Sequence, residues 1–185
     1  MEYVGSKIDI TRLPSGLATV KFTQPVLLQK LRDEFDLPGG KNPKTPAVAG
    51  QVLVRGDGSG TLVGAEATKY MSGSATMLFM VQWSRLEAFN AVRSLMRHMS
   101  APRIAHEKAM LYCMKYMVST PNRGLVLAPD RIWDGSQSFK WKIVGRSDSD
   151  YAANTDDRRS ISGGRVFVNN APVMVRSATQ KSVTL

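Results

Sequence analysis

Gly145-Arg146-Ser147-Asp148-Ser149-Asp150-Tyr151-Ala152-Ala153-Asn154 runs on to Asp156-Asp157-Arg158-Arg159-Ser160, and this stretch decides how the C-terminal third of the chain folds. Just upstream, Phe139, Trp141 and Ile143 alternate with Lys140, Lys142 and Val144. A period of two predicts a β-strand over 139–146 that leads into Asp148 and Asp150. Alternation puts both aspartates on one face of the strand end. Such a pair offers oxygen donors to a hard divalent cation, whereas phosphodiester cleavage needs further carboxylates from other elements to place its metals. The same residues also read as an acidic turn whose Ser and Asp side chains bond to their own backbone. Beyond them, 165–168 and 173–176 flank Asn169-Asn170, a pair suited to a tight turn, and predict a hairpin.

Working toward the N-terminus, three apolar-periodic stretches predict helices over 67–81, 86–100 and 102–118. Phe89, Val92, Met96 and Met99 share one stripe, and Ala105, Ala109, Tyr112 and Tyr116 share another after Pro102. Those faces should pack together, with the methionines as adaptable filling. Residues 41–66 are rich in Gly and Pro and predict a long surface connection. Within it, Gly56-Asp57-Gly58-Ser59-Gly60 lacks the Lys-Ser/Thr of a phosphate loop and the spaced acids of a calcium loop, so it reads as flexible. Before it, residues 3–10 and 17–23 are strand-like around Pro14-Ser15-Gly16. Thr23 or Gln24 then caps a helix bearing Pro25, Leu27, Leu28, Leu31 and Phe35.

The charge points to a polyanionic partner. The 185 residues carry a net charge of +10, which favours such partners through counterion release. Residues 93–123 hold six basic side chains against Glu107 alone, and residues 158–185 hold five and no acid. Arg93, Arg97, Arg103, Lys108 and Lys115, on helix faces away from the apolar stripes, are candidates to track phosphates, and Arg158 and Arg159 extend the set. A solvated helix face is the alternative reading of the same residues. The lone Cys113 lies in an apolar helical pattern, which excludes a disulfide framework and predicts a buried thiol. His98 and His106 lack the spacing of a metal site, and no nucleophile elbow is present. No apolar run suits a membrane span or a signal peptide, so an intracellular protein, cytoplasmic or nuclear and away from membranes, is expected.

Residues 145–185 resemble the start of the ribonuclease H domain of copia-type retrotransposon polyproteins. Gly145 to Ala152 stands where that family has Gly-x-Ser-Asp-x-Asp-aromatic-Ala. Asp157 to Gly163 stands for Asp-Arg-Arg-Ser-x-Ser-Gly, and Gln180-Lys181-Ser182-Val183-Thr184-Leu185 for Gln-Lys-x-Val-x-Leu. Earlier pieces extend the resemblance toward the reverse transcriptase thumb: Thr23-Gln24-Pro25, Thr45-Pro46, Lys69-Tyr70-Met71-Ser72-Gly73, Trp83-Ser84-Arg85-Leu86-Glu87, Asn90-Ala91-Val92, Met99-Ser100-Ala101-Pro102 with Ala105-His106, and Tyr116 through Gly124-Leu125. Leu86 in place of the family's proline and Gly164 in place of a bulky residue depart from it.

The resemblance implies an α+β chain: a β-hairpin plus a helical thumb-like bundle, followed by an incomplete ribonuclease-H-like antiparallel β-meander. Its expected parts are a palm-end hairpin and first thumb helix (1–38), a loop (39–66), a helical thumb and connection (67–128) and a truncated ribonuclease H start (129–185). Asp148 would be the first ribonuclease H metal ligand, with Asp150 auxiliary. In the intact parent Mg2+ or Mn2+ would serve the chemistry; none is expected to bind tightly here. The expected partners are an RNA/DNA hybrid or duplex nucleic acid and the remainder of the polyprotein. The polymerase and ribonuclease H carboxylates of the family flank this stretch, so an inactive fragment is expected. The alternatives are a non-catalytic nucleic-acid-binding or assembly protein and a decaying insertion without function.

Overall fold

The computed structural model describes residues 2–3, 5–150 and 159–181. Strands β1 (Glu2–Tyr3), β2 (Ser6–Arg12) and β3 (Ala18–Thr23) precede helix α1 (Pro25–Glu34). Then come α2 (Gly64–Trp83), a 3-10 turn (Leu86–Ala88), α3 (Phe89–Met96) and α4 (Ile104–Ser119). Strand β4 (Leu125–Leu127) follows, and β5 (Ile143–Asp150), β6 (Ile161–Val168) and β7 (Ala171–Thr179) complete the order. One antiparallel sheet runs β1-β2-β3-β4 and a second β5-β6-β7. Two compact units result: Glu2–Lys7 with Thr23–Gly124, and Ile8–Phe22 with the chain from Leu125 onward.

The helical unit holds the core. Leu28, Leu31 and Phe35 of the α1 segment meet Tyr70, Met77, Met80 and Val81 of α2, Val92 and Leu95 of α3, and Met110, Cys113, Met114 and Met117 of α4. Five methionines among these buried residues suit an irregular interface between helices of unequal length, because an unbranched thioether adapts to gaps. Gly73 sits where α2 approaches both Phe35 and Met114. A Cβ there would come within 2.8 Å of Phe35 Cζ and closer still to Met114 Cε, so a larger residue would have to push these two side chains aside. Tyr70, wholly buried, donates its hydroxyl to the Leu95 carbonyl at 2.8 Å and fixes α2 against the end of α3.

The helices expected from periodicity are present with shifted ends. The first is longer, starting at Gly64. The second is shorter, because the chain enters it through a 3-10 turn and leaves helix at Met96, with His98 N–H bonding the Leu95 carbonyl in a tighter turn. Gln24 takes the N-cap position of α1, with Pro25 in the first turn; its Oε1 accepts the buried Ser84 hydroxyl at 2.7 Å instead of capping its own helix. Strand β4 carries no alternating pattern of its own, yet its Val126 and Leu127 pair with Lys21 and Val20.

The strand expected over 139–146 begins four residues later. Before Ile143 the chain is held by Asn169, so Phe139 and Trp141 turn to each other edge-on, with ring centroids 4.8 Å apart. The expected hairpin is present: β6 and β7 join through Asn169 and Asn170, both with positive φ (47° and 70°), the left-handed pair that a two-residue turn matching strand twist requires. Burial separates the two units sharply. Among the described residues from Leu125 onward, Ala171 is the only buried apolar side chain.

Two buried groups of the helical unit set its alkaline limit. Burial pushes the Cys113 thiol from 9.0 up to about 12, and burial pushes the Tyr70 phenol from 10.0 up to about 12. Both groups therefore stay protonated in the native chain after the unfolded chain has begun to lose their protons. The unfolded state then binds fewer protons and stability falls as pH rises, first above about 9 and more steeply above about 10, until pH passes about 12. Each group contributes up to about 1.4 kcal/mol per pH unit in that window. A series of urea melts between pH 7 and 11 should show a midpoint that is flat to about 9 and then declines. Removing the thiol alone, in Cys113→Ala, should delay the onset to about pH 10.

Candidate functional site

The Gly-Asp-Gly-Ser-Gly string is anchored rather than flexible, and what anchors it is the start of α4. Four N–H groups at a helix N-terminus lack partners within the helix. Here Ile104 N–H bonds the Gly60 carbonyl at 3.0 Å, and Ala105 N–H bonds Ser59 Oγ at 3.3 Å. Glu107 N–H closes back on the Arg103 carbonyl. Asp57 accepts both the hydroxyl and the N–H of Ser59, which hold its carboxyl below the usual range, and stands 3.9 Å from the Arg103 guanidinium. The negative carboxylate suits the positive end of the helix. That helix end is satisfied by the protein itself.

His106 completes this junction. Its Nδ1 accepts the Arg103 N–H at 3.1 Å and its Nε2 lies 2.9 Å from the Val54 carbonyl. The two bonds fix the tautomer that carries the proton on Nε2. The buried ring stacks on that of His98, centroids 3.9 Å apart. Both imidazoles are buried in this junction.

A second polar junction joins the exit of α2 to the end of α4. Arg85 is 1% exposed. Its Nε donates to Glu87 Oε1 at 2.7 Å, Nη1 to the Met117 carbonyl at 2.9 Å, and Nη2 to Thr120 Oγ1 at 2.7 Å. Its guanidinium also lies over the Tyr116 ring. A cation at these carbonyls complements the negative end of the α4 dipole. In the sequence Arg85 is one letter of a short motif between two helices, with no periodic sign of its burial.

The candidate phosphate-binding residues fall into separate surroundings. Arg93 and Arg97, one helical turn apart at the end of α3, are both half-buried, and the Arg93 pKa is lowered by desolvation and by the neighbouring Arg97 charge. Arg93 also donates to Asn90 Oδ1. Lys108 is exposed on α4. Arg103 is engaged with the Ser59 carbonyl and Asp57, and Lys115 donates to the carbonyls of Gly39 and Gly40 at 2.7 and 2.9 Å, so both hold loops against α4. Arg159 is exposed beside β6. Arg158, with 151–157 and 182–185, lies outside the described residues.

Asp148 is exposed on β5 opposite Gly163, its Oδ1 accepting the Ser149 N–H at 2.9 Å. The Asp150 side chain lies outside what the structure describes. Two positions earlier on the Asp148 face, Arg146 sits directly opposite Arg165 of β6, both exposed. Like charges at opposed positions repel, and this cationic pair beside Asp148 was not singled out in the sequence, where the two arginines stand far apart. Among the described residues no three His, Cys, Asp or Glu side chains gather as metal ligands do. Nor is any described helix long and apolar enough to cross a membrane.

No family model and no solved structure matches the chain. It is 28% identical over 176 residues to the retrovirus-related Pol polyprotein from transposon RE2 of Arabidopsis thaliana, and equally to that from transposon RE1. The alignments cover 95% of this chain and 11% of each polyprotein. Over 116 residues it is 29% identical to the secreted RxLR effector protein 161 of Plasmopara viticola, covering 63% of this chain and 76% of that protein. The distant likeness to the Pol polyproteins supports a retroelement-derived origin.

Proposed function

We propose that the chain is the thumb and connection region of a copia-type reverse transcriptase joined to the first strands of its ribonuclease H domain, and that by itself it binds duplex or hybrid nucleic acid without cleaving it. The observation that carries the binding role is the placing of Arg93 and Arg97, both half-buried, one helical turn apart at the end of α3, where burial and then the Arg97 charge make the Arg93 charge costlier. A phosphate oxygen between them relieves that repulsion and accepts from both. Lys108 supplies a further cation on α4.

Asp148 fits the place of the first ribonuclease H ligand in the motif, and in the intact element a divalent cation would supply Lewis acidity there. The described residues offer that ion a single strand-borne carboxylate, short of the oxygen set it requires. The binding role rests on the arginines and not on the metal. The likeness to the Plasmopara viticola effector favours a second reading, in which a retroelement-derived segment serves as a non-catalytic binding or assembly protein. Sequencing the transcript beyond both ends separates the two: in-frame Tyr-x-Asp-Asp upstream and Glu-Ala-Glu downstream favour the enzyme.

Titrating a fluorescein-labelled RNA/DNA hybrid with the chain tests binding directly. With about four phosphate contacts, affinity should fall on the order of 100-fold between about 50 and 200 mM salt, without dependence on sequence. The double variant Arg93→Ala, Arg97→Ala should lower the salt slope by about two. An unchanged slope in that variant would count against the site.

A further inference from the structure

Residues 130–142 form a loop closed at its neck by one buried residue, through its backbone and its side chain. Asp130 N–H bonds the Asn169 carbonyl at 2.8 Å, Asn169 N–H bonds the Lys142 carbonyl at 2.8 Å, and Lys142 N–H returns to Asn169 Oδ1 at 3.0 Å. Asn169 is 4% exposed and is itself locked by the β6–β7 turn. An ion pair between Lys142 Nζ and Asp130 Oδ2, 3.5 Å, adds to the closure. Compact surface loops with joined ends and internal packing are frequent carriers of function.

What this loop presents is aromatic and cationic. Trp133 is 57% and Trp141 54% exposed. Neither ring hangs loose. The Trp133 indole N–H donates to the Ser136 carbonyl at 3.1 Å, inside a turn closed by Asp134 Oδ1 accepting Ser136 N–H at 2.9 Å, with Gly135 at a φ of 83°. Trp141 is braced edge-on by Phe139. Both acids of the loop are exposed and engaged in local contacts. Asp134 is spent on the turn, which holds its carboxyl below the usual range, and Asp130 lies within 3.2 Å of Arg131 Nε as well as near Lys142. Arg131, Lys140 and Lys142 are all exposed, with Arg131 and Lys142 sharing Asp130.

We infer that this loop is a binding site for single-stranded nucleic acid, with bases stacking on Trp133 and Trp141 and phosphates meeting Lys140 and Lys142. Rings fixed before binding lose little freedom on contact, and alternation of ring and cation along Phe139-Lys140-Trp141-Lys142 matches the alternation of base and phosphate along a strand. A protein partner would be served by the same apolar rings. Three cations against two acids in the loop, in a chain of net charge +10, favour a polyanion. It shares no residue with the α3–α4 set proposed for duplex binding, and the two proposals stand or fall independently.

Binding of a twelve-residue oligothymidylate, followed by tryptophan fluorescence and by anisotropy of a labelled strand, tests the inference. Stacking should quench the emission. Trp133→Ala and Trp141→Ala should each weaken binding roughly 5- to 100-fold, the range that one lost base-aromatic stack produces, while Trp141→Phe keeps most of the affinity. Because both rings are exposed, the variants should fold, which circular dichroism will show. Arg93→Ala with Arg97→Ala should leave the oligothymidylate affinity in place while weakening the hybrid. Wild-type affinity in the double tryptophan variant would overturn the inference, as would loss of self-association by that variant without loss of oligonucleotide binding.

Discussion

Arg85→Ala is expected to lower the stability of the helical unit by about 3–5 kcal/mol, seen as a fall in the urea midpoint with little change in slope. Three effects add. The Met117 carbonyl loses a buried charged donor and the Thr120 hydroxyl a part-buried one, hydrogen bonds to a charged group being worth about 1.5–3 kcal/mol each. The contact of the guanidinium with the Tyr116 ring is lost as well. Glu87 contributes less, because its side chain is 31% exposed and water can replace the guanidinium. That ordering is checked by Glu87→Gln, which should cost below about 1 kcal/mol as partly exposed ion pairs do. Arg85→Lys should recover only part of the loss, since one ammonium cannot reach three acceptors on two elements in a fixed fork. A midpoint in Arg85→Ala within error of the parent would mean that the junction at the end of α4 is held by packing alone.

The contrast between Arg85 and the apolar stripes shows what the sequence could convey. Positions 28, 31 and 35, or 89, 92 and 96, repeat at helical spacing, so the burial of Leu28, Leu31 and Val92 was legible from pattern. The Asn169-Asn170 turn was legible for a similar reason: its backbone demands left-handed φ, and few residues accept it. Arg85, Ser59 and Asn169 were not legible as anchors. Each acts on groups far along the chain, Arg85 on Thr120 and Ser59 on Ala105, and a polar residue at a loop gives no periodic sign of which distant helix end it satisfies. Trp141 was misplaced for the converse reason. Its alternation with Lys140 and Lys142 is a true period of two, but the Asn169 bonds to Lys142 end the ladder there, and the rings left outside the sheet turn to solvent. Of the candidate site, the basic character was evident from composition. The grouping of Arg93 with Arg97, apart from Arg103 and Lys115, depended on which cations the loops recruit.

Amide exchange should separate the two units by at least about 100-fold in protection, or roughly 2.7 kcal/mol of opening free energy, with α2 and α4 the slower. The reason is the distribution of buried apolar surface. The core runs from Leu28 to Val118, whereas among the described residues of β5, β6 and β7 Ala171 is the one buried apolar side chain, and Ile143, Val173 and Met174 are exposed by half or more. Each fully buried side chain of that size stabilises by about 1.5–3 kcal/mol, so the sheet forgoes several such contributions and relies on its ladder bonds and the Asn turn. Exposed edge strands also invite pairing with another chain. Exchange measured at two protein concentrations therefore carries a second outcome. Protection that rises in β7 with concentration identifies self-association as the cover this sheet lacks. Protection in β5–β7 equal to that of α2 at the lower concentration would show that the hydrogen-bonded ladder and its turn hold the sheet without a buried core.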